Sequence, residues 1–191
     1  MAHDLHFTGD AAADRLLSTD PLALIIGMLL DQQVPMETAF AGPHKLHERL
    51  DGFDAAKLAA MDADELTEVM RQTPAVHRYP GSMAKRIIAL SAEVLETYDG
   101  DVTRLWTEGE PDGATILRRL KALPGFGEQK ARIFLALLGK QCGLTAPGWR
   151  EAAGDYGEDG ARRSIADVID EQSLLEVRET KRAAKAAAKK G

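Results

Sequence analysis

The segment Leu120–Lys140, LKALPGFGEQKARIFLALLGK, constrains the fold more than any other part of the chain. Apolar residues recur at helical spacing on both sides of a Leu-Pro-Gly-Phe-Gly turn. Pro124 ends the first helix because the residue before a proline is disfavoured in the α region, and Gly125 and Gly127 permit a tight turn. We expect a helix, a hairpin and a second helix that starts near Glu128, whose N-terminal N–H groups can bind an anion.

The charge of this region contrasts with that of the whole chain. From Arg118 to Lys140, six basic residues against the single acid Glu128 give a net charge of +5, whereas the 191-residue chain carries −6. A basic region on an acidic protein indicates local contact with a polyanion. The alternative is an ordinary tight turn between two helices, with solvated charges.

The composition is that of a soluble globular protein. The length suits one domain, or two small lobes, around a core that needs no disulfides. The single cysteine, Cys142, excludes a disulfide within the chain and a four-cysteine zinc or iron–sulfur site. The longest apolar run, Leu22–Leu30, is too short to span a membrane, and the polar, acidic Met1–Asp10 is unlike a signal peptide. We expect a cytoplasmic monomer.

Helical periodicity extends along most of the chain, and no segment of useful length shows the alternation of a strand. Asp20 and Pro21 are strong signals for the start of a helix, and the run Leu22–Leu30 is apolar on all sides, as in a buried helix. We expect the following helix to break near Gly42–Pro43 and to resume to Leu50. Further helices are expected at Phe53–Ala60, Asp64–Arg71, Ser82–Tyr98, Val102–Trp106, Trp149–Ala153 and Ser173–Lys190. The predicted class is all-α.

Two segments of the sequence are similar to one known family. Leu123–Ala131, LPGFGEQKA, resembles the hairpin of the helix-hairpin-helix DNA glycosylase superfamily of base excision repair. Leu24–Ala39, LIIGMLLDQQVPMETA, is similar to its early helix, which ends in a Gln-Gln pair and precedes a helix with a small residue at the position of Ala39. The separation of the two segments also fits. The resemblance covers roughly Leu16–Lys140 and fades beyond it.

The resemblance implies an all-α, two-lobed, glycosylase-like fold with a groove for double-stranded DNA between the lobes, where the target base is flipped into a pocket. It implies that the hairpin glycines and the amide after each hold a phosphate, often beside a bound monovalent cation. The Gln-Gln pair would probe the gap left by the flipped base, since an amide both donates and accepts; the alternative is a polar helix end without a partner. The expected DNA contacts are Gln32, Gln33, Gly125, Gly127, Gln129 and Lys130.

The hairpin departs from the family at the position of the lyase lysine. Bifunctional members carry this lysine two residues after the second hairpin glycine, where the present chain has Gln129, which cannot form a Schiff base. Lys130 is adjacent, but one residue of helix turns the side chain by about 100°. The resemblance therefore implies no strand-nicking lyase activity.

The loop after the second hairpin helix also departs from the family, whose catalytic aspartate corresponds here to Ala146 or Pro147. A carboxylate is needed to stabilise a developing oxocarbenium ion and to orient water. Asp155 is our candidate for the replacement, and Glu151 and Asp31 are the others. The iron–sulfur ligands of the family are absent, because the chain has a single cysteine, and no tightly bound cofactor is expected.

Trp149 is a candidate for stacking on a flipped base or an exposed nucleotide. The alternative is a core tryptophan that covers the hairpin helix. The basic tail from Arg178 to Lys190 either binds DNA without sequence preference or is a solvated helix. His44 and His47 lie at helical spacing, but no third ligand stands at a suitable spacing, so no metal site is predicted.

We therefore assign residues 1–175 to one all-α domain of two lobes with a helix-hairpin-helix motif, and residues 176–191 to a basic C-terminal helix that frays. The leading hypothesis is a base-excision-repair DNA glycosylase homologue, monofunctional if active, that hydrolyses the N-glycosidic bond of a flipped, damaged base. One alternative is a non-catalytic DNA-binding module, which the missing lysine and aspartate favour. The other is a protein-interaction scaffold, which the acidic body favours.

Overall fold

The computed structural model describes residues 3–190, which form eleven α-helices and two 3-10 helices and contain no strand. The prediction of an all-α class is confirmed. None of the helices formed by these residues combines the length and the hydrophobicity that a membrane span requires. The α-helices are α1 Ala11–Thr19, α2 Pro21–Leu30, α3 Met36–Arg49, α4 Ala55–Ala60, α5 Ala63–Arg71, α6 Pro80–Tyr98, α7 Arg104–Thr107, α8 Gly113–Lys121, α9 Glu128–Gln141, α10 Trp149–Ala153 and α11 Glu171–Ala188, and the 3-10 helices are Gly154–Gly157 and Ile165–Asp167.

The helix α2 lies at the centre of the molecule and begins where the Asp-Pro signal predicts. The Asp20 carboxylate accepts hydrogen bonds from the amides of Leu22 and Ala23 at 2.9 and 3.3 Å, and Pro21 occupies the first helical position. Every residue from Leu22 to Leu30 is buried. Because it is apolar on all sides, this helix contacts α1, α3, α6 and α9, and it joins the two halves of the chain.

The helix α3 runs without interruption through Gly42 and Pro43, so the predicted break near these residues is wrong. Pro43 removes one N–H donor from the helix, but both residues are buried. A Cβ atom on Gly42 would lie 2.7 Å from Cδ1 of Leu30 and 3.2 Å from Cγ1 of Val76. The close packing of α3 on α2 stabilises the helix at the position where local propensity favours a break.

Two groups of helices pack around α2. In the first, α4 and α5 pack on the long helix α6, and α3 contacts α5. In the second, α8, α9 and α10 pack with one another, and both 3-10 helices contact α9. The helix α11 contacts the 3-10 helix Ile165–Asp167. One contiguous apolar core joins both groups. The division of residues 1–175 into two lobes of one domain stays a prediction.

The predicted hairpin connects α8 to α9 and packs against the end of α2. Phe126 is buried and packs edge-to-face on Phe134, with the ring centroids 6.2 Å apart. Gly125 has φ +82°, and a Cβ atom on it would overlap Cδ1 of Leu29. A glycine is therefore required here both by the backbone conformation and by the approach of α2.

The helix α11 is anchored to the body at its start. The Asp170 carboxylate accepts a hydrogen bond from the amide of Ser173 at 2.7 Å, and the Ser173 hydroxyl accepts one from the amide of Asp170 at 3.0 Å, which is a capping box. Val177 is buried, whereas residues 182–190 are exposed. The fraying predicted for residues 176–191 stays a prediction.

Candidate nucleic-acid interface

A cleft of about 980 Å³ lies where the end of α2, the start of α9 and the middle of α11 meet. The predicted site residues that line it come from three separate parts of the chain, and they are Gln32, Gln33, Gln129, Lys130 and Asp155. The cleft also contains Asp31, the alternative carboxylate. The fold therefore brings together most of the residues that the sequence marks, and their roles in DNA contact stay predictions.

The N-terminus of α9 is open at the hairpin. Gly127 is its N-cap, no side chain caps the helix, and a Cβ atom on Gly127 would meet nothing within 4 Å. The N–H groups of the first turn, which have no acceptor within the helix, are therefore accessible to an anion. The amide of Phe126 donates to the carbonyl of Leu123 at 3.1 Å. The amides of Phe126 and Glu128, which follow the two glycines, are predicted to hold phosphate. Because the amide of Phe126 already has an acceptor, the amide of Glu128 is the one available to a phosphate.

Most cations of the basic hairpin segment are engaged by the protein itself. Each donates to a carbonyl or carboxylate oxygen: Arg119 to Leu105 and Glu108 at 3.0 Å each, Lys130 to Leu29 at 2.8 Å, Arg132 to Glu128 at 2.8 Å, and Lys140 to Asp167 at 2.6 Å. The net charge of the segment therefore overstates the positive charge that it presents to a ligand.

Lys130 joins α9 to α2. Its Nζ donates to the carbonyl of Leu29, one of the last carbonyls of α2, which lack donors within the helix and attract cations. Burial lowers the pKa of Lys130 to about 8, and the carboxylate of Asp31 partly opposes this shift. Lys130 thus holds the start of the hairpin helix against the end of α2.

The two glutamines after α2 have different environments. Gln32 is held on both sides, since its Nε2 donates to the carbonyl of Leu29 at 3.0 Å and its Oε1 accepts from Arg86 at 2.7 Å. Gln33 is exposed, has φ +57° and makes no hydrogen bond within residues 3–190. Gln33 is therefore the member of the pair whose amide is free to probe a ligand, and Gln32 is not a polar helix end without a partner.

Two residues that the sequence does not single out fix the loop after α2. The Nε2 of His77 lies 3.1 Å from the carbonyl oxygen of Leu30 and 3.0 Å from that of Gln32, and its Nδ1 accepts from the amide of Tyr79 at 3.0 Å. This pattern requires a neutral ring with the proton on Nε2, and burial lowers the pKa of His77. No local pattern marks His77 or Arg86, because Gln32 is 45 and 54 residues away from them.

Two aspartates line the cleft in contrasting environments. Asp155 is exposed on the 3-10 helix Gly154–Gly157, next to Tyr156, whose hydroxyl accepts from Nε2 of Gln129 at 2.9 Å. The side chain of Asp31 is only 9% exposed, and Nζ of Lys181 lies 3.8 Å from its carboxylate. Burial raises the pKa of Asp31, against the effect of the Lys181 charge. Asp155 is therefore exposed at the cleft, whereas the carboxylate of Asp31 is largely buried beside the charge of Lys181.

Ala146 and Pro147, the positions expected for the family aspartate, line a separate cavity of about 660 Å³. Pro21 and Leu24, at the start of α2, line the same cavity, so it lies at the opposite end of α2 from the cleft. The chain returns from this loop through α10, which packs on α9, and reaches the cleft at Asp155.

Trp149 lines neither cavity. Its ring packs on Gly139 of α9, where a Cβ atom would overlap the indole, and the guanidinium carbon of Arg150 lies 4.5 Å from the ring centroid. This position favours a packing role for Trp149 on the hairpin helix over a stacking role on a nucleotide. The stacking role stays a prediction.

The comparison with protein families agrees with these observations. The chain matches the family described as HhH-GPD superfamily base excision DNA repair protein over residues 26–187. This range contains the hairpin, the glutamine pair and every residue that lines the cleft, and it extends well beyond Lys140. A search of curated proteins found no match. The predicted resemblance is confirmed, and the chain belongs to the HhH-GPD superfamily of base excision DNA repair proteins.

Proposed function

We propose that this protein is a monofunctional DNA glycosylase that binds duplex DNA at the cleft and removes a damaged base. The observation that carries the proposal is the composition of the cleft. It joins the start of α9, the exposed amide of Gln33 and the accessible carboxylate of Asp155. These groups suit three tasks, which are to bind a phosphate, to fill the gap left by a flipped base and to assist hydrolysis.

The reaction breaks the bond between C1′ of the deoxyribose and the base nitrogen, and the base leaves with the electron pair. A carboxylate stabilises the positive charge that develops on the sugar. It also accepts a proton from the water whose oxygen bonds to C1′. We assign this role to Asp155, which is exposed at the cleft, and keep Asp31 as the second candidate.

The groups near the hairpin support hydrolysis without strand nicking. A lyase needs an amine that attacks C1′. Gln129 has no amine, and the amine of Lys130 donates to the carbonyl of Leu29. Treatment with borohydride in the presence of a duplex that contains an abasic site is therefore expected to give no covalent complex. A trapped complex that disappears in Lys130→Met would overturn the monofunctional assignment.

The proposal is tested with duplexes that carry uracil, alkylated, oxidised or mismatched bases. We expect at least one of them to be cut after alkali, which reveals an abasic site, and to stay intact without alkali. Asp155→Asn is expected to lower the rate by about 100-fold or more. Asp159→Asn is the matched control, because Asp159 follows the same 3-10 helix, lies outside the cleft and loses only an exposed pair with Arg150. No abasic product from any duplex would remove the enzymatic part of the proposal.

A non-catalytic DNA-binding module is the second candidate. It is supported by Gln129 at the position of the lyase lysine and by Ala146–Pro147 at the position of the family aspartate. It predicts duplex binding that weakens steeply with salt and no product in the assay above. A protein-interaction scaffold predicts instead that the protein is not retained on a DNA column, even at low salt.

A further inference from the structure

One face of α11 borders the cleft opposite the hairpin. The basic residues on this face follow the i, i+3, i+4, i+7 spacing that places side chains in one row along a helix, and they are Arg178, Lys181, Arg182 and Lys185. All four line the same cleft as Gln129 and Lys130 of α9. The cleft therefore has two walls that carry basic residues, one from the hairpin helix and one from the C-terminal helix.

The first two of these residues attach α11 to the far side of the cleft. Arg178 pairs with Glu37 in the first turn of α3, and Lys181 lies 3.8 Å from the carboxylate of Asp31 at the end of α2. The acidic side chains are 19% and 9% exposed, respectively. Carboxylates that are this far removed from water are costly unless they are paired, so both pairs hold α11 in place.

The next two residues of the row have no such partner. Arg182 and Lys185 are exposed, and within residues 3–190 neither of them forms an ion pair or a side-chain hydrogen bond. Arg182 lies about one turn beyond Arg178, and Lys185 lies about one turn beyond Lys181. The two pairs therefore place this part of α11 beside the cleft, and the charges of Arg182 and Lys185 are free for a ligand.

The hairpin wall offers less free charge than its sequence suggests. Lys130 is bonded to the carbonyl of Leu29, and Arg132 pairs with Glu128. An acidic protein that binds a polyanion must concentrate its contacts where unpaired cations remain. At this cleft, Arg182 and Lys185 meet that requirement, and so does Arg78, whose guanidinium carbon lies 5.4 Å from the ring centroid of Tyr79.

We propose that Arg182 and Lys185 contact phosphates of the DNA backbone, so that α11 is the second wall of a clamp whose first wall is the N-terminus of α9. The inference rests on the proposed function, because the ligand is duplex DNA in both. Arg178 and Lys181 act as positioning residues that hold α11 against α2 and α3. The guanidinium of Arg182 suits a phosphate because it donates two parallel hydrogen bonds.

The test compares two double variants that change the charge equally. Arg182→Gln/Lys185→Gln removes the proposed contacts, and Lys189→Gln/Lys190→Gln removes two charges at the end of the same helix, outside the cleft. The affinity for one fluorescent duplex with an abasic-site analogue is measured by anisotropy between about 50 and 200 mM salt. For the first variant we expect the negative slope of log K against log salt to become shallower by about 1.8, since each lost phosphate contact is worth about 0.9. The control variant should keep the slope of the wild type.

The outcomes separate the inference from the proposed function. If the wild-type protein binds no duplex, the proposed function fails. If it binds but the first variant keeps the wild-type slope, or if both variants lose the same slope, the clamp is wrong and the proposed function stands. Because Arg182 and Lys185 are exposed, the unfolding midpoint in urea should match the wild type and exclude misfolding as the cause.

Discussion

The two glycines of the hairpin are glycines for different reasons. Gly125 has φ +82°, and a side chain on it would overlap Leu29. Gly127 has an ordinary φ of −80° and open space around it. The first glycine lets the turn approach α2, whereas the second keeps the N-terminus of α9 uncovered. Gly125 is thus required for packing against α2, whereas Gly127 keeps the N-terminal amides of α9 accessible to a ligand.

Substitution of the two glycines should separate these roles. Gly125→Ala is expected to lower the free energy of unfolding by about 1–3 kcal/mol, because it combines an unfavourable φ with a clash. Gly127→Ser should leave stability unchanged or raise it slightly, since serine is a good N-cap. Urea unfolding of both variants at one pH gives the comparison. Equal losses would contradict the roles assigned here.

His77 should make stability depend on pH. The folded protein lowers the pKa of His77 from its ordinary value of 6.5, so the unfolded chain takes up a proton first as the pH falls. The contribution of His77 is therefore complete above about pH 6.5 and is lost as the pH falls through the lowered pKa of the folded state. The free energy of unfolding of the wild type should fall more between pH 6.5 and 5 than that of His77→Gln. The exposed His6→Gln should follow the wild type, and identical profiles for all three proteins would refute the assignment.

At the scale of elements, a buried ion pair fastens α9 to the 3-10 helix Ile165–Asp167. The side chains of Lys140 and Asp167 are 11% and 2% exposed, with 2.6 Å between Nζ and Oδ1. Asp167 also accepts hydrogen bonds from the amides of Arg163 and Ser164 at 2.8 and 3.2 Å. The carboxylate thus satisfies three donors, whereas the ammonium has this one carboxylate as its ion-pair partner within residues 3–190.

Substitution of Asp167 and of Lys140 should therefore lower the free energy of unfolding by different amounts. Asp167→Ala leaves a buried charge and two amides without acceptors, and we expect it to cost about 3–5 kcal/mol. Lys140→Met should cost less, because the two amides still stabilise the carboxylate. Arg162→Gln, in a half-exposed pair with Glu176, should cost at most about 1 kcal/mol. Thermal or urea unfolding measures all three, and an equal cost for the first two variants would be the contrary result.

The sequence predicts helices well where a side chain caps the first turn. Asp20, Asp54 and Asp62 all accept amide hydrogen bonds at the starts of α2, α4 and α5, and such caps are local signals. Prediction fails at Gly42–Pro43, where burial against α2 overrides the local preference for a break. Contacts between distant elements decide that outcome, and a single sequence does not display them.

At the scale of the whole molecule, the difference between local signals and contacts of distant elements explains which parts of the site are predictable. The hairpin and the glutamine pair are visible as motifs, and the fold brings them to one cleft. The places of His77, Arg86 and the basic face of α11 are not visible, because each depends on a partner far along the chain. The net charge of the hairpin segment misleads for the same reason, since it does not show which cations the fold already uses.

Both indoles lie next to α9 and away from the cleft: Trp149 rests on Gly139, and the ring of Trp106 lies 6.0 Å from that of Phe134. Intrinsic emission should therefore report the melting of the body and stay nearly silent while an oligonucleotide is titrated in. A strong quench on titration of Trp106→Phe, in which Trp149 is the one remaining indole, would mean that Trp149 leaves Gly139 and contacts the nucleic acid. A simple fluorimeter can thus decide between the two roles considered for that indole.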